Sequence, residues 1–272
     1  MNKIEDETLK VIMFPDFVKL DKEVKEMRSQ LSELLLERDQ LHLIVCPNIE
    51  TEYLLLFGSL EYKAYETQCT ALRLKRKAEL IQAKLNRQEK VIVKTIEEIL
   101  DDEFAEFKNK LDEQIDKMNE AIMKNGCEHL SEEDTKELKR IYRKVVKALH
   151  PDLNPEISES QIHLFANAVN AYKNGDLDTL KIIGEMVNDN PLPKNHENAL
   201  TQLADEKQRL QGLLTSIRES ILKIKSEYPY IMKEIIEDPE KTERRKHEFE
   251  SIINQYSEMI EIYTSRIDEM LR

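Results

Sequence analysis

Between Ser59 and Asn125 the chain carries neither a glycine nor a proline. Strand pairing needs tight turns, and tight turns draw on those two residues for their backbone angles, so a stretch this long argues against β structure. Helix fits it, at about 1.5 Å per residue, provided apolar residues recur on one face. They do: Leu60, Ala64, Thr67, Ala71, Leu74, Ala78, Ile81 and Leu85 alternate four and three apart, the spacing of a seam laid against a second helix. Several are small, which lets two helices approach closely.

The same period comes earlier in the chain. Leu20, Val24, Met27, Leu31 and Leu34 keep it, Arg38 interrupts it and Leu41 resumes it, with Phe14-Pro15-Asp16 as the helix start. Cys46-Pro47-Asn48 reads as a break, and a short connection between two seamed helices predicts an antiparallel hairpin over residues 1–100. Helix continues from Val91, with Ile92, Ile96, Ile99 and Phe107 as packing residues and Gly126 as the stop. Its acidic run, Glu97, Glu98, Asp101, Asp102, Glu103 and Glu106, is most simply a solvated face, the sharper alternative being that it lies against the basic helix at 136–149 and competes with a partner for it. The basic cluster Arg73, Lys75, Arg76 and Lys77 also reads as solvated.

The last third repeats the pattern. Leu203, Leu210, Leu214, Ile217, Ile221 and Ile224 form a seam whose single polar member is Lys207. Tyr228-Pro229 interrupts it, and Asp238-Pro239 is a good cap and first-turn pair for a final helix carrying Phe249, Ile252, Tyr256, Met259, Tyr263, Ile267 and Met270. The expected fold is therefore all-α and elongated: two antiparallel coiled-coil-like hairpins, 1–100 and 191–272, flanking a small helical module with its preceding long helix at 101–190.

Charge and thiols narrow the function. With 41 Lys and Arg against 54 Asp and Glu the formal net charge is -13, which argues against nucleic-acid or anionic-membrane binding by the surface as a whole. Cys46, Cys69 and Cys127 are odd in number and far apart, so reduced thiols in the cytoplasm are expected rather than disulfides or a thiolate metal site. Cys127 with His129 supplies only two ligands. The first fourteen residues lack a secretory pattern, and no run approaches the roughly 20 apolar residues of a membrane span. Neither a glycine-rich phosphate loop nor a nucleophile motif is present, so no cofactor and no enzyme activity are expected.

One local stretch runs against the acidic balance. From Lys136 to Asp152, KELKRIYRKVVKALHPD, the apolar residues Leu138, Ile141, Val145 and Leu149 recur at three- and four-residue spacing, and Lys136, Lys139, Arg140, Arg143, Lys144 and Lys147 fill the other side. Pro151 disfavours helix in the residue before it, so the helix should stop at about His150. That puts His150 and Asp152 at an exposed turn. Ser131 with Asp134 looks like the start cap, Ser158 or Ser160 caps the next helix, and Asn174-Gly175-Asp176 ends it.

Here the sequence resembles a J domain, the module by which DnaJ-like co-chaperones engage 70-kDa heat-shock ATPase chaperones. Tyr142 lies eight residues before His150, where the family keeps its helix II tyrosine, with Arg143 and Lys144 as the basic pair. The tripeptide His150, Pro151, Asp152 is intact, Asn154 follows it, and Phe165 with Ala171 and Tyr172 matches the spacing on helix III. The match covers roughly Leu130 to Met186. It departs from the family in lacking the usual first-helix motif and the basic run of the last helix.

The resemblance implies a non-enzymatic co-chaperone. His150, Pro151 and Asp152 would contact the chaperone and trigger ATP hydrolysis there, while Lys139, Arg143, Lys144 and Lys147 dock on an acidic patch. The arms would hold a client or join two copies. The rival expectation is a coiled-coil adaptor whose J-like module has lost its coupling to the ATPase.

Overall fold

The computed structural model describes residues 15–125, 130–187 and 199–272. Ten α-helices account for most of these residues, with no strand among them. In order they are α1 (Pro15–Gln40), α2 (Cys46–Asn86), α3 (Val93–Glu103), α4 (Ala105–Asn125), α5 (Glu132–Leu149), α6 (Glu159–Asn174), α7 (Leu177–Met186), α8 (Ala199–Ser226), α9 (Lys233–Glu237) and α10 (Pro239–Leu271). The all-α expectation holds. The expected stop at Gly126 and the Cys127, His129 pair lie outside the described residues.

Pro47 does not break the chain as expected. A π-helical segment, Leu41–Val45, joins α1 to α2 without a loop. Proline cannot donate the next hydrogen bond of an α-helix, and a wider π-turn just before it absorbs the mismatch. One turn later Thr51 Oγ1 donates to the Pro47 carbonyl at 2.9 Å. The expected hairpin over residues 1–100 is not the pairing observed: the α1 seam packs along α8 and the α2 seam along α10, each partner lying in the last third of the chain.

The chain divides into two compact units, Met1–Val45 with His129–Ser226 and Cys46–Glu128 with Glu227–Arg272. In the first, α1 packs along α8. Ion pairs fix the direction: Glu23 meets Lys207 at 2.8 Å and Glu37 meets Lys225 at 2.7 Å, so the two helices run parallel. Leu31, Leu35, Leu210, Leu214, Ile217 and Ile221 are buried along them. The polar seam member Lys207 is thus an ion-pair position. Helices α5, α6 and α7 pack on one another in the same unit, and α5 also touches α1.

In the second unit α2 packs against α10, again in parallel. Phe249, early in α10, sits with Tyr53, Phe57 and Ala64, whereas Ile267, near its end, sits with Ala78 and Ile81. Asp238 caps α10 as expected, accepting from the backbone N–H groups of Glu240 and Lys241. Helices α3 and α4 cover α2, so the long helix assigned to the J-like module belongs with the other unit. The chain leaves α2 through Gln88, whose φ of 57° is the left-handed geometry that more often falls to glycine.

The acidic run and the basic cluster meet each other here. Arg73 binds Glu97 at 2.6 Å and Asp101 at 2.7 Å, Arg76 binds Glu103 at 2.9 Å, and Lys77 reaches Glu97 at 2.6 Å. Glu98, Asp102 and Glu106 remain exposed.

One helical stretch, Phe17–Asn86, contains a window of mean hydropathy 1.2 that is long and apolar enough to cross a membrane by length and composition. No such stretch was expected from the sequence. Tyr53 and Phe57 within this stretch are buried against Phe249, while 28 % of the apolar window is buried.

Candidate functional site

Helix α5 begins where Ser131 accepts a hydrogen bond from the Asp134 backbone at 3.0 Å, with Glu132, Glu133 and Asp134 set favourably against the helix dipole. Leu138, Ile141, Tyr142, Val145, Val146 and Leu149 are buried. The helix ends at His150, whose backbone is extended (φ -67°, ψ 127°), as the following proline requires.

The connecting turn is tied to the helix end. Leu153 and Asn154 donate backbone N–H to the His150 carbonyl at 3.0 and 2.9 Å, and Asn154 Nδ2 donates to the Lys147 carbonyl at 3.0 Å. Ser158 and Gln161 then form a reciprocal capping box that starts α6. Gly175, at φ 69°, ends α6 in left-handed geometry, and Asp176 opens α7 by accepting from the Thr179 N–H.

The aromatic residues that suggested a J-like module come together. The rings of Tyr142 and Tyr172 stack at 4.0 Å and are fully buried, and Phe165 presents its ring to His150 edge-on at 5.1 Å. Both tyrosines are core residues.

The basic residues separate into two groups. Arg143 and Lys147 are exposed and form no ion pair among the described residues. Lys144 sends its ammonium to the Gly184 carbonyl at 2.8 Å, joining α5 to α7, and Lys139 is half-buried. Arg140 and Lys136, on the same helix, pair with Glu137 and Glu132. Only part of the expected basic face is therefore free to meet a partner.

The tripeptide also departs from expectation. Pro151 is exposed and the Asp152 side chain is 38 % exposed, but the His150 side chain is only 7 % exposed. The imidazole faces inward because the sequence offers it an apolar neighbour in Phe165 and a polar one in α1. The Asp152 backbone N–H donates to His150 Nδ1 at 3.1 Å, so the ring is neutral and carries its proton on Nε2. Burial pushes the His150 pKa below its ordinary value, against the pull of the nearby Asp152 carboxylate.

Residues that the motif did not reveal complete the site. Asp39 of α1 is 7 % exposed and accepts from the Tyr142 hydroxyl at 2.8 Å through Oδ2, while Arg38 binds its Oδ1 through Nε and Nη2 at 3.0 and 2.6 Å. Burial, then the Asp39 charge, pushes the Tyr172 phenol up to about 12. Arg209 of α8 donates through Nη1 to the Asp152 carbonyl at 2.8 Å. Its other N–H groups hold Glu206, which Arg28 of α1 also grips at 2.7 Å. Burial alone would raise the Glu206 carboxyl, but Arg209 and Arg28 outweigh it and hold it below the usual range. The visible signal in the sequence was Arg38 itself, the charged residue that interrupts an apolar seam.

The arrangement holds polar groups but places no nucleophile beside a base. Among the described residues no group of three or more His, Cys, Asp or Glu could hold a metal ion. No protein-family model, curated protein or solved structure matches the chain.

Proposed function

We propose that α5, the 150–158 turn and α6 form a J-domain-like docking surface, and that the chain is a cytoplasmic co-chaperone stimulating the ATPase of a 70-kDa heat-shock chaperone. The observation that carries this reading is the junction itself: a cationic helix ends at His150-Pro151, with Arg143, Lys147 and Pro151 exposed and the Asp152 carboxylate partly so. Cationic side chains favour approach to an acidic protein surface, and a carboxylate at the helix end offers a specific second contact. The chain itself would hydrolyse nothing.

A second reading has its own support. With the imidazole almost wholly buried, the module can serve as a structural part of an adaptor that no longer drives an ATPase. Because the helical seams pair within the chain, binding of a client or a second copy would use other faces.

Steady-state ATP hydrolysis by a cytoplasmic 70-kDa chaperone separates the two. Under the co-chaperone reading, wild type accelerates turnover and Asp152→Asn abolishes the acceleration, while Arg143→Glu with Lys147→Glu raises the concentration needed for half-maximal effect. Equal turnover with and without the protein removes the co-chaperone reading and favours the adaptor.

A further inference from the structure

We propose that α1 and α8 act as an intramolecular clamp on the His150–Asp152 turn, so that the His150 ring, buried while Pro151 and Asp152 already meet solvent, becomes accessible only when Arg209 releases the turn. The functional consequence rests on the docking reading above; the clamp itself does not.

The contact runs through a chain of charged groups. Arg28 on α1 holds Glu206 on α8, Glu206 holds Arg209 through two hydrogen bonds, and the remaining guanidinium edge of Arg209 reaches the Asp152 carbonyl. Among the described residues this is the one hydrogen bond from α8 to the turn. It falls on a backbone carbonyl, so it fixes the path of the turn whatever the side chain at 152. On the opposite side the Arg38–Asp39 pair and Tyr142 anchor α5 to α1, and Phe165 closes over the imidazole.

The geometry suits a reversible restraint better than a permanent part of the core. Arg209 and Arg28 keep 33 % and 28 % of their side-chain surface in water, whereas both tyrosines of the stack are fully buried. An acidic partner surface competes for the same guanidinium group that Glu206 now holds, because arginine binds any carboxylate through the same planar fork. Approach of such a partner and opening of the turn are thereby coupled.

Acylation of histidine by diethyl pyrocarbonate tests the clamp on the full chain, with exposed His163 on α6 as the internal reference. Arg209→Ala is expected to speed His150 acylation by about tenfold, within what one hydrogen bond to a charged group sets, and to leave His163 unchanged. Leu214→Ala, which weakens the same α1–α8 packing without touching the turn, is the folding control. An unchanged His150 rate in Arg209→Ala overturns the clamp, as does equal acceleration in both variants.

Chaperone turnover, followed on the same samples, separates the two ideas. Faster His150 acylation in Arg209→Ala with a lower half-maximal concentration for ATPase stimulation supports both. Faster acylation with no stimulation by any sample supports the clamp and overturns the docking reading. Stimulation by wild type, with the same His150 rate in Arg209→Ala, overturns the clamp and leaves docking standing.

Discussion

Tyr142 donates its hydroxyl hydrogen to Asp39 Oδ2 at 2.8 Å, joining α5 to α1 across 103 residues of sequence. Asp39 Oδ1 is taken by Arg38, so the carboxylate is served on both oxygens inside the first unit. Tyr142→Phe keeps the stack on Tyr172 and deletes only the donor. Loss of a hydrogen bond to a buried charged acceptor should destabilise this unit by about 1.5–3 kcal/mol. Urea denaturation of wild type, Tyr142→Phe, Asp39→Ala and the double variant reads the coupling. The double variant should lose less than the sum of the two, and strict additivity would show that the bond contributes nothing.

Gly184 sets how closely α7 approaches α5. A Cβ built on it would lie 2.7 Å from Ile141 Cγ2, a branched methyl that moves only by rotation about χ1, which a β-branched residue in a helix is not free to make. The Gly184 carbonyl also receives the Lys144 ammonium at 2.8 Å, which the same displacement would strain. Gly184→Ala is therefore expected to cost about 1–3 kcal/mol by overpacking. Gly212, with nothing within 4 Å of such a Cβ, is the control position, and Gly212→Ala should leave the melting temperature unchanged or raise it slightly. Thermal unfolding of the two variants checks both.

Local signals were legible in the sequence and partner choice was not. Ser131, Ser158, Gly175 and Asp238 are the expected caps because a cap needs only the residues beside it. The seams were equally visible, yet a period of three and four says that a helix has a partner, not which one or in which direction. Pro47 looks like a break in sequence, and the π-helical turn at Leu41–Val45 that accommodates it has no sequence marker. From its immediate neighbours alone, the three-residue motif around His150 looks exposed. Arg209, which holds that turn, lies 57 residues away on another helix. Of the two charged interruptions of the seams, Lys207 marks a cross-helix ion pair with Glu23, whereas Arg38 pairs with its neighbour Asp39 in α1.

The cover of α3 on α2 combines an ion-pair edge with an apolar one, and the two should differ in weight. Arg73, 31 % exposed at its side chain, binds Glu97 and Asp101 across the gap. Pairs this open to water contribute about 0.2–1 kcal/mol and weaken with salt. Leu100 is fully buried with Ala78, Ile81, Ile96 and Ile267, so Leu100→Ala should cost about 2–5 kcal/mol. Hydrogen exchange over residues 93–103 should accelerate modestly in Arg73→Ala, and wild type in high salt should mimic it. Leu100→Ala should expose the helix at any salt concentration. If Arg73→Ala proves the more severe, charge rather than apolar packing holds α3.

The buried imidazole makes the first unit sensitive to mild acid. In the unfolded chain His150 titrates near its ordinary value of about 6.5, and in the folded protein it titrates below that, chiefly because burial disfavours the charged ring. Between those two values the unfolded chain binds a proton that the folded one refuses, so stability falls as pH drops below about 6.5 and is unaffected above it. The paired carboxyl of Glu206 acts later. Its folded pKa lies below its ordinary 4.5, so its contribution is complete above that value and is lost only as pH falls through the lowered one. The two effects are thus separated along the pH axis. Hydrogen exchange of the α5 amides, followed from about pH 7 down to about pH 5 and corrected for intrinsic exchange, should show progressive loss of protection in wild type. His150→Gln, which cannot take up a proton, should flatten that dependence while leaving any fall at lower pH in place. A wild-type profile that is already flat across this range would mean that the ring accepts its proton where it sits, and that the inward-facing geometry carries no penalty for charge.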